Sequence, residues 1–290
     1  MPELPDLYYI QKYLEPKIVG RTVVSTDVKQ PIVLRVAVEG QVEHALRGSS
    51  IVGVQYRGPF LRFDFSNTLH LVCNLMLAGS VQHQLPKEKS AGHLCFSLLL
   101  DDNSRLNFSD EQKMMKAYVI KENDFDKIPK YLQQGVDILS SAFTVETFKE
   151  LASKHSRKQV RVFINDHTVL SSIGNAYADE ILFDAKIHPK TFLAKLSQQE
   201  TEQLYHSILH VMRWGIEKVE EAARPIHIKV RDHMKVRNRK DQPCSRCGTK
   251  IRREGVRGLD VFFCPVCQPA TRKLFIDWRS ENREIDSSNH

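Results

Sequence analysis

The 290-residue chain has no apolar run near the ~18 residues that a membrane span needs. It has no basic-then-apolar leader, so an intracellular protein is expected rather than an exported one. It shows no internal repeat and no low-complexity tract, which excludes repeat solenoids and compositionally biased segments. Cysteine is limited to six residues, and in a reducing cytosol disulfides are not expected of them. An acidic excess is also absent: the net charge is +7, which gives a mild bias toward an anionic partner. What remains is the composition of a globular protein, 41% hydrophobic, with length enough for two domains that each bury a core.

The charge is unevenly placed. Twelve bases and three acids between Arg224 and Arg257 give +9, against +7 for the whole chain. Such a stretch is either a solvated basic face or a phosphate-contacting surface. Four of the cysteines fall inside or beside it, as Cys244-x-x-Cys247 and Cys264-x-x-Cys267. Paired thiolates at this spacing bind Zn²⁺ tetrahedrally, and a zinc ribbon explains both knuckles and the basic segment between them. Cys73 and Cys95 lie in apolar surroundings and read as core residues.

Apolar spacing of 3–4 residues over Leu7, Ile10, Leu14 and Ile18 predicts an amphipathic helix over 3–19, ended by Gly20. Eight strand-like runs follow: 22–28, 32–38, 51–56, 60–65, 69–77, 94–100, 104–109 and 117–121. Asp101-Asp102-Asn103 makes a hairpin turn between two of them. One helix and eight strands predict an antiparallel sandwich. From about residue 130 the period changes, and helices are expected over 144–154, 158–165, 175–185 and 197–223. Ser197 and Glu200 form a capping box for the last of these. The boundary falls near Gly135–Ser141. The fold class is therefore α+β, with four parts: a sandwich over 1–135, a helical domain over 136–225, a zinc hairpin over 226–268 and a polar tail over 269–290.

Two short motifs carry chemistry. Removal of Met1 from Met1-Pro2-Glu3-Leu4-Pro5 leaves a free secondary amine at Pro2. An α-amino group titrates at ~7.7–8.0, so part of it is unprotonated near neutrality and can form a Schiff base. Glu3 beside it is a candidate acid or base. Taken alone, the same residues also read as an ordinary helix opener. The second motif, Ser171-Ser172-Ile173-Gly174-Asn175-Ala176, lies between two helices. Gly174 is expected at positive φ, with the amides of the following helix aimed at a phosphate and Asn175 capping the helix or donating to that phosphate.

Taken together, Pro2-Glu3-Leu4-Pro5, the Ile173–Glu180 segment with Ile187-His188-Pro189, and the four-cysteine hairpin resemble the formamidopyrimidine-DNA glycosylase / endonuclease VIII family. The resemblance covers nearly all of residues 1–268. It implies an N-terminal β-sandwich with flanking helices, a helix–two-turn–helix domain, a structural zinc hairpin, and damaged double-stranded DNA in the cleft between the domains. It further implies Pro2 as nucleophile at C1′, Glu3 as acid/base and Asn175 as a phosphate ligand. A monomer acting on DNA inside the cell, with no membrane partner, follows from the same likeness.

The departures from the family pattern are specific. Pro59 stands where the family carries a phosphate-gripping lysine. Leu259 stands at an arginine position of the hairpin, with Arg257 as its substitute. Asp6 stands where glutamate is common. Leu77 replaces the methionine that fills the hole left by the flipped base, and Gln112 and Met114 stand in a segment that supplies the other wedges. The stretch from Ala223 to Met234 is short for a lid over 8-oxoguanine. Retained Pro2 and Glu3 predict a glycosylase with abasic-site lyase activity, and the short stretch with Gln112 predicts that it is not directed at 8-oxoguanine. Two other readings compete with it: a non-enzymatic DNA-binding protein on the same fold, and a zinc-ribbon RNA-binding module, which leaves the N-terminal motif unexplained.

Overall fold

Helix α1 (Leu4–Ile18) forms where Leu4, Leu7, Ile10, Leu14 and Ile18 recur at helical spacing, and all five are buried. Asp6 Oδ2 accepts the Glu3 amide at 2.8 Å, which satisfies one orphan donor of the first turn. Gly20, at φ +87°, turns the chain out of the helix. The computed structural model describes residues 1–36, 42–256 and 258–270.

The chain then runs through β1 (Val23–Val28), β2 (Leu34–Val36), a short helix α2 (Val42–Ala45), β3 (Ile51–Arg57), β4 (Phe60–Phe65), β5 (Leu69–Asn74), β6 (Ser80–Gln84), β7 (Leu94–Leu100), β8 (Arg105–Ser109) and β9 (Lys116–Lys121). These strands make two sheets, ordered β1-β7-β8-β6 and β2-β9-β5-β4-β3. The sheets face each other over one core. Phe63 of β4 meets Phe108 of β8 edge-on at 5.7 Å, and Phe108 stacks on Phe96 at 4.4 Å. Cys73 and Cys95 are fully buried in it, as expected.

The sandwich differs from its sequence reading in three places. Among the described residues it has nine strands rather than eight, because the run over 69–77 stops at Asn74. The Asn74 side chain there accepts the Met76 amide at 3.0 Å, and Met76 adopts φ +50°. The chain re-enters the sheet as β6, whose Gln82 and His83 are buried despite being polar, so hydrophobic alternation does not reveal it. The third difference is that β2 pairs with β9 in parallel, so the sandwich is not wholly antiparallel. The turn at 101–103 is as expected, with Asn103 at φ +65°.

The second half contributes β10 (Val136–Asp137), α3 (Val145–Lys154), α4 (Val160–Ile164), β11 (Leu170–Ser171), α5 (Asn175–Asp184) and α6 (Gln198–Ala222), followed by the hairpin β12 (Arg252–Val256) and β13 (Leu259–Phe263). Thr144 Oγ1 caps α3 by accepting the Thr147 amide. Ser197 and Glu200 close the capping box on α6, with bonds of 3.1 and 2.7 Å. Helix α4 is shorter than the expected 158–165.

Helix α1 belongs to both halves. Leu4 packs into the helical core with Phe148, Phe163, Ile173 and Tyr177, while Ile10, Leu14 and Ile18 pack into the sandwich. Gly215 of α6 makes the junction close. A Cβ there would lie 2.3 Å from Tyr177 and 3.0 Å from Pro5, so only glycine lets the three helices meet. This junction sets the N-terminus in the seam between the halves.

Candidate active site

The Glu3 carboxylate is buried at the start of α5. Its Oε1 accepts the Ala176 amide at 2.9 Å, and its Oε2 accepts the Tyr177 amide at 3.0 Å. These are the helix amides expected to meet a phosphate; they hold a carboxylate of the protein instead. The chemistry is the same, an anion at the positive end of a helix. The expectation for Gly174 also needs correction. Its φ is −96°, an ordinary extended value, and the left-handed residue of the turn is Ser172, at φ +71°. Glycine is required at 174 for space, since a Cβ would stand 2.3 Å from the Glu3 carboxyl carbon. Burial pushes the Glu3 pKa up, against the pull of Arg231 and the two amides.

Two neighbours of Glu3 tie the seam together. Asp6 receives a two-pronged guanidinium contact from Arg231, at 2.9 and 2.5 Å, and the Arg231 guanidinium lies over the Tyr177 ring. Arg231 belongs to the segment between α6 and the hairpin, the stretch too short for a lid over 8-oxoguanine. That segment lies strapped across α1. The Tyr9 hydroxyl donates to the Arg224 carbonyl, Ile226 joins the sandwich core, and Lys229 donates to the Leu77 carbonyl at 2.7 Å. Leu77 is thereby held at the N-terminus, where its carbonyl also accepts the Met1 amine at 3.3 Å. Burial, and secondly Lys229, lower that amine to about 5.

Asn175 is the first residue of α5, and Gly174 precedes it as the cap residue without a side-chain bond. The Asn175 Oδ1 accepts from Asn165 Nδ2 at 2.7 Å and from Arg161 Nη2 at 3.1 Å. With the oxygen doubly held, the Nδ2 donors are the free face of the amide. Arg161 is itself buried and fixed by Asp179 at 2.9 Å. Asp179 also accepts from Arg237 Nη1 at 2.8 Å, and Glu180 accepts three successive amides from Lys235, Val236 and Arg237. One turn of α5 thus fastens both Asn175 and the hairpin.

The four expected cysteines come together, with their Sγ atoms all within 4.8 Å of one another. The Cys244–Cys267 and Cys247–Cys264 sulfurs are 3.8 and 3.5 Å apart. A tetrahedron with Zn–S of ~2.3 Å has edges of roughly 3.8 Å, so the thiols fit a structural Zn²⁺. Around them pack Phe183, Val236, Ile251 and Phe262.

The other expected contacts are more dispersed. Leu77 is 60% exposed beside the N-terminus, and Met114 is 40% exposed on a loop that Asp110 fastens through the amides of Gln112 and Met115. Leu259 is 43% exposed on β13. Arg257 lies outside the described residues. Pro59 lines a cavity of about 470 Å³ that opens beside Met1, between the second sheet and residues 165–168.

Comparison with known proteins places this geometry. Residues 1–117 match the formamidopyrimidine-DNA glycosylase N-terminal domain, residues 134–224 the H2TH domain of the same enzymes, and residues 241–270 the zinc finger found in FPG and IleRS. A formamidopyrimidine-DNA glycosylase from Desulforamulus reducens is 30% identical over 285 residues, covering 93% of this chain and all of the relative. The chain belongs to the formamidopyrimidine-DNA glycosylase family. A member from Lactococcus lactis subsp. lactis is 29% identical, covering 92% of this chain and 99% of the relative. Lactococcus lactis Fpg complexed with abasic-site DNA superposes with a TM-score of 0.82 at 25% identity, covering 92% and 100%. The same protein bound to DNA with an oxidised pyrimidine gives 0.83 at 26%, covering 93% and 100%.

Within this family member, sequence reasoning missed Arg161, Asn165, Lys229 and Arg231. Asp6 and Arg231 are 225 positions apart, and no local pattern links them. Asp179 and Glu180 did carry a signal: two acids within an otherwise apolar helical run have to be buried with partners.

Proposed function

We propose that this protein is a DNA glycosylase with abasic-site lyase activity. It acts through the Pro2 nitrogen once Met1 is removed, on damaged bases other than 8-oxoguanine. The observation that carries this reading is the Glu3 carboxyl, buried beside the N-terminus and gripped by two amides of the helix that also presents Asn175. While Met1 is attached, the Pro2 nitrogen is an amide without a nucleophilic lone pair. Once freed, it bonds to C1′ as the C1′–N bond to the base breaks, and the base leaves with a proton. Opening of the sugar gives an iminium at C1′. This withdraws electrons so that loss of the C2′ proton expels the 3′ phosphate.

In this scheme Glu3, with its raised pKa, supplies and recovers the proton at the sugar. Asn175 donates Nδ2 to a backbone phosphate, and Leu77 and Met114 are the apolar wedges. Cys244, Cys247, Cys264 and Cys267 hold the zinc that keeps the hairpin folded. The strap from Ala223 to Met234 is spent on α1 contacts, which supports the reading that no mobile lid closes over 8-oxoguanine. Complexes of Lactococcus lactis Fpg with oxidised-pyrimidine and N7-benzyl-Fapy-dG DNA support those lesion classes as candidates.

Borohydride trapping on a duplex with one abasic site tests the nucleophile without choosing a base. Untagged, Met1-free protein is expected to give a covalent adduct, and protein that retains Met1 none. Burial and Lys229 lower the Met1 amine, and Pro2, buried one residue further in, exposes its own amine to the same desolvation once Met1 is gone. An amine of lowered pKa stays unprotonated at lower pH, so trapping should persist at about pH 6, below the ~7.7–8.0 of an ordinary amino terminus. Tight binding of abasic DNA by Met1-free protein, with no adduct, would replace the enzyme by a DNA-binding protein.

A further inference from the structure

We propose that Lys116 and Lys130 form a phosphate grip on the cleft wall, taking the DNA backbone beside the nucleotide whose C1′ meets Pro2. The proposal rests on the reading above for the position of that nucleotide, and on the following geometry for the grip.

The cavity beside Met1 has one wall from the sandwich and one from the loop before β11. On the sandwich side, Phe60 pairs with Asn74 and Asn74 pairs with Lys116, so the three side chains stand in a row on one face of the sheet. Lys116 is therefore two strand spacings, about 10 Å, from the turn that holds Pro59. Pro59 itself cannot offer a cation. Lys130 lines the same cavity from the segment after β9, whose Ile128 and Tyr131 pack on Phe60 and Tyr118 of that sheet; it sits at φ +65°, a backbone state that costs a non-glycine residue free energy. The Gln134 side chain fixes it there by donating to the Lys130 carbonyl at 2.7 Å.

Both lysines are exposed, and neither forms an ion pair among the described residues. The one carboxylate among the described lining residues, Asp166, is already engaged by Lys158 at 2.7 Å and by Thr168. Those contacts lower its pKa to about 2 against the opposing effect of burial. The lysines are thus left without an internal anion. Next to them, His167 Nδ1 accepts the Ser172 amide at 3.3 Å, and burial keeps the ring neutral, so its remaining proton is on Nε2. Asn165, on the same wall, is the residue that holds Asn175. Two unpaired cations and the His167 imidazole donor therefore line the cavity beside Met1, next to the Asn165 amide that holds Asn175. This donor set suits a chain of phosphodiesters better than a single compact anion.

The test measures binding to a short duplex carrying a tetrahydrofuran abasic analogue, which cannot be processed, as a function of salt. Each contributing lysine adds about 0.9 to the slope of log affinity against log salt. Lys116→Ala and Lys130→Ala should each lower the slope by about that much. The double variant should lose about 1.8, with affinity at about 0.15 M salt down roughly tenfold or more. Lys116→Arg should keep the wild-type slope. Lys121→Ala, on the same strand but away from the cavity, should leave slope and affinity unchanged. A double variant that is folded by circular dichroism and keeps the wild-type slope overturns the grip. Trapping by the wild-type chain is read separately. A lowered slope without any trapped adduct supports the grip and removes the lyase. An adduct with an unchanged slope removes the grip alone.

Discussion

The basic stretch from Arg224 onward and the cleft wall around Lys116 use positive charge in opposite ways. In the stretch, Arg224 pairs with Asp232, Arg231 with Asp6, Arg237 with Asp179, Arg246 with Asp184 and Arg253 with Asp260. Lys229 and Arg239 donate to backbone carbonyls. Seven of the twelve bases are thus engaged inside the fold: Arg231, Arg237, Arg246 and Lys229 fasten the strap and the hairpin to other elements, while Arg224, Arg239 and Arg253 bind within them. The cleft wall is poor in charge by comparison, yet Lys116 and Lys130 are unpaired there. A local surplus of bases in the sequence shows where cations are numerous, and only the pairing shows which of them are available to a phosphate.

If the stretch is chiefly a fastening, loss of its metal should do more damage than loss of any single cation. Structural zinc in small fingers contributes about 10–16 kcal/mol of binding free energy near neutrality, coupled to folding. Cys244→Ser, or chelation, should therefore unfold the hairpin. Hydrogen exchange should show amides of β12 and β13 losing protection while the sandwich strands keep theirs. DNA affinity should fall at least tenfold. Protection of the hairpin retained in metal-free protein would show that Phe183, Val236, Ile251 and Phe262 hold it without zinc.

The next effect lies at the seam. Gly174→Ala puts a methyl 2.3 Å from the Glu3 carboxyl carbon. Glu3 has to leave the Ala176 and Tyr177 amides, and those buried donors lose their partner. If Glu3 manages the proton during base release, excision should slow by about 10²-fold or more, within the usual range for general acid–base catalysis. Cleavage at a pre-made abasic site should fall less, because its C1′ carbonyl is already accessible. Single-turnover rates on the two substrates decide it. An equal loss on both would assign Glu3 to holding the N-terminus rather than to proton transfer.

These two regions were legible in the sequence to different degrees. The zinc ligands follow from spacing alone, because four thiolates at C-x2-C intervals have few other uses. The sandwich and the helical half follow from periodicity, except where burial is polar, as at Gln82 and His83 of β6. Gly174 was singled out correctly but for the wrong physical reason. Backbone freedom is a local property and suggests itself first, whereas the contact with Glu3 spans the length of the chain. The strap was beyond reach for the same cause. Asp6 with Arg231, and Leu77 with Lys229, are pairs that form only where the strap after α6 lies against α1 and the turn after β5.

The smallest expected effect sharpens the comparison most. Arg253 of β12 reaches diagonally to Asp260 of β13, which is in register with Gly255, and makes two bonds to it at 2.8 and 2.7 Å; both side chains are about half exposed. Removing Arg253 alone would leave Asp260 repelling any nearby phosphate, so a weaker complex would not prove that Arg253 touches DNA. Removing both, in Arg253→Ala with Asp260→Ala, deletes a pair of zero net charge. If Arg253 is only a fastening, the double variant keeps the wild-type salt slope within experimental error, whereas Lys116→Ala loses about 0.9. Asp260→Asn alone then discriminates further, because it releases the arginine without deleting it. A steeper slope for Asp260→Asn would place β12 within reach of a phosphate and make Asp260 a brake on its binding. An unchanged slope would leave the Arg253–Asp260 pair as internal structure without a phosphate contact. A slope lowered by about 0.9 in the double variant would reverse the comparison, putting a DNA contact in the basic stretch despite its pairing.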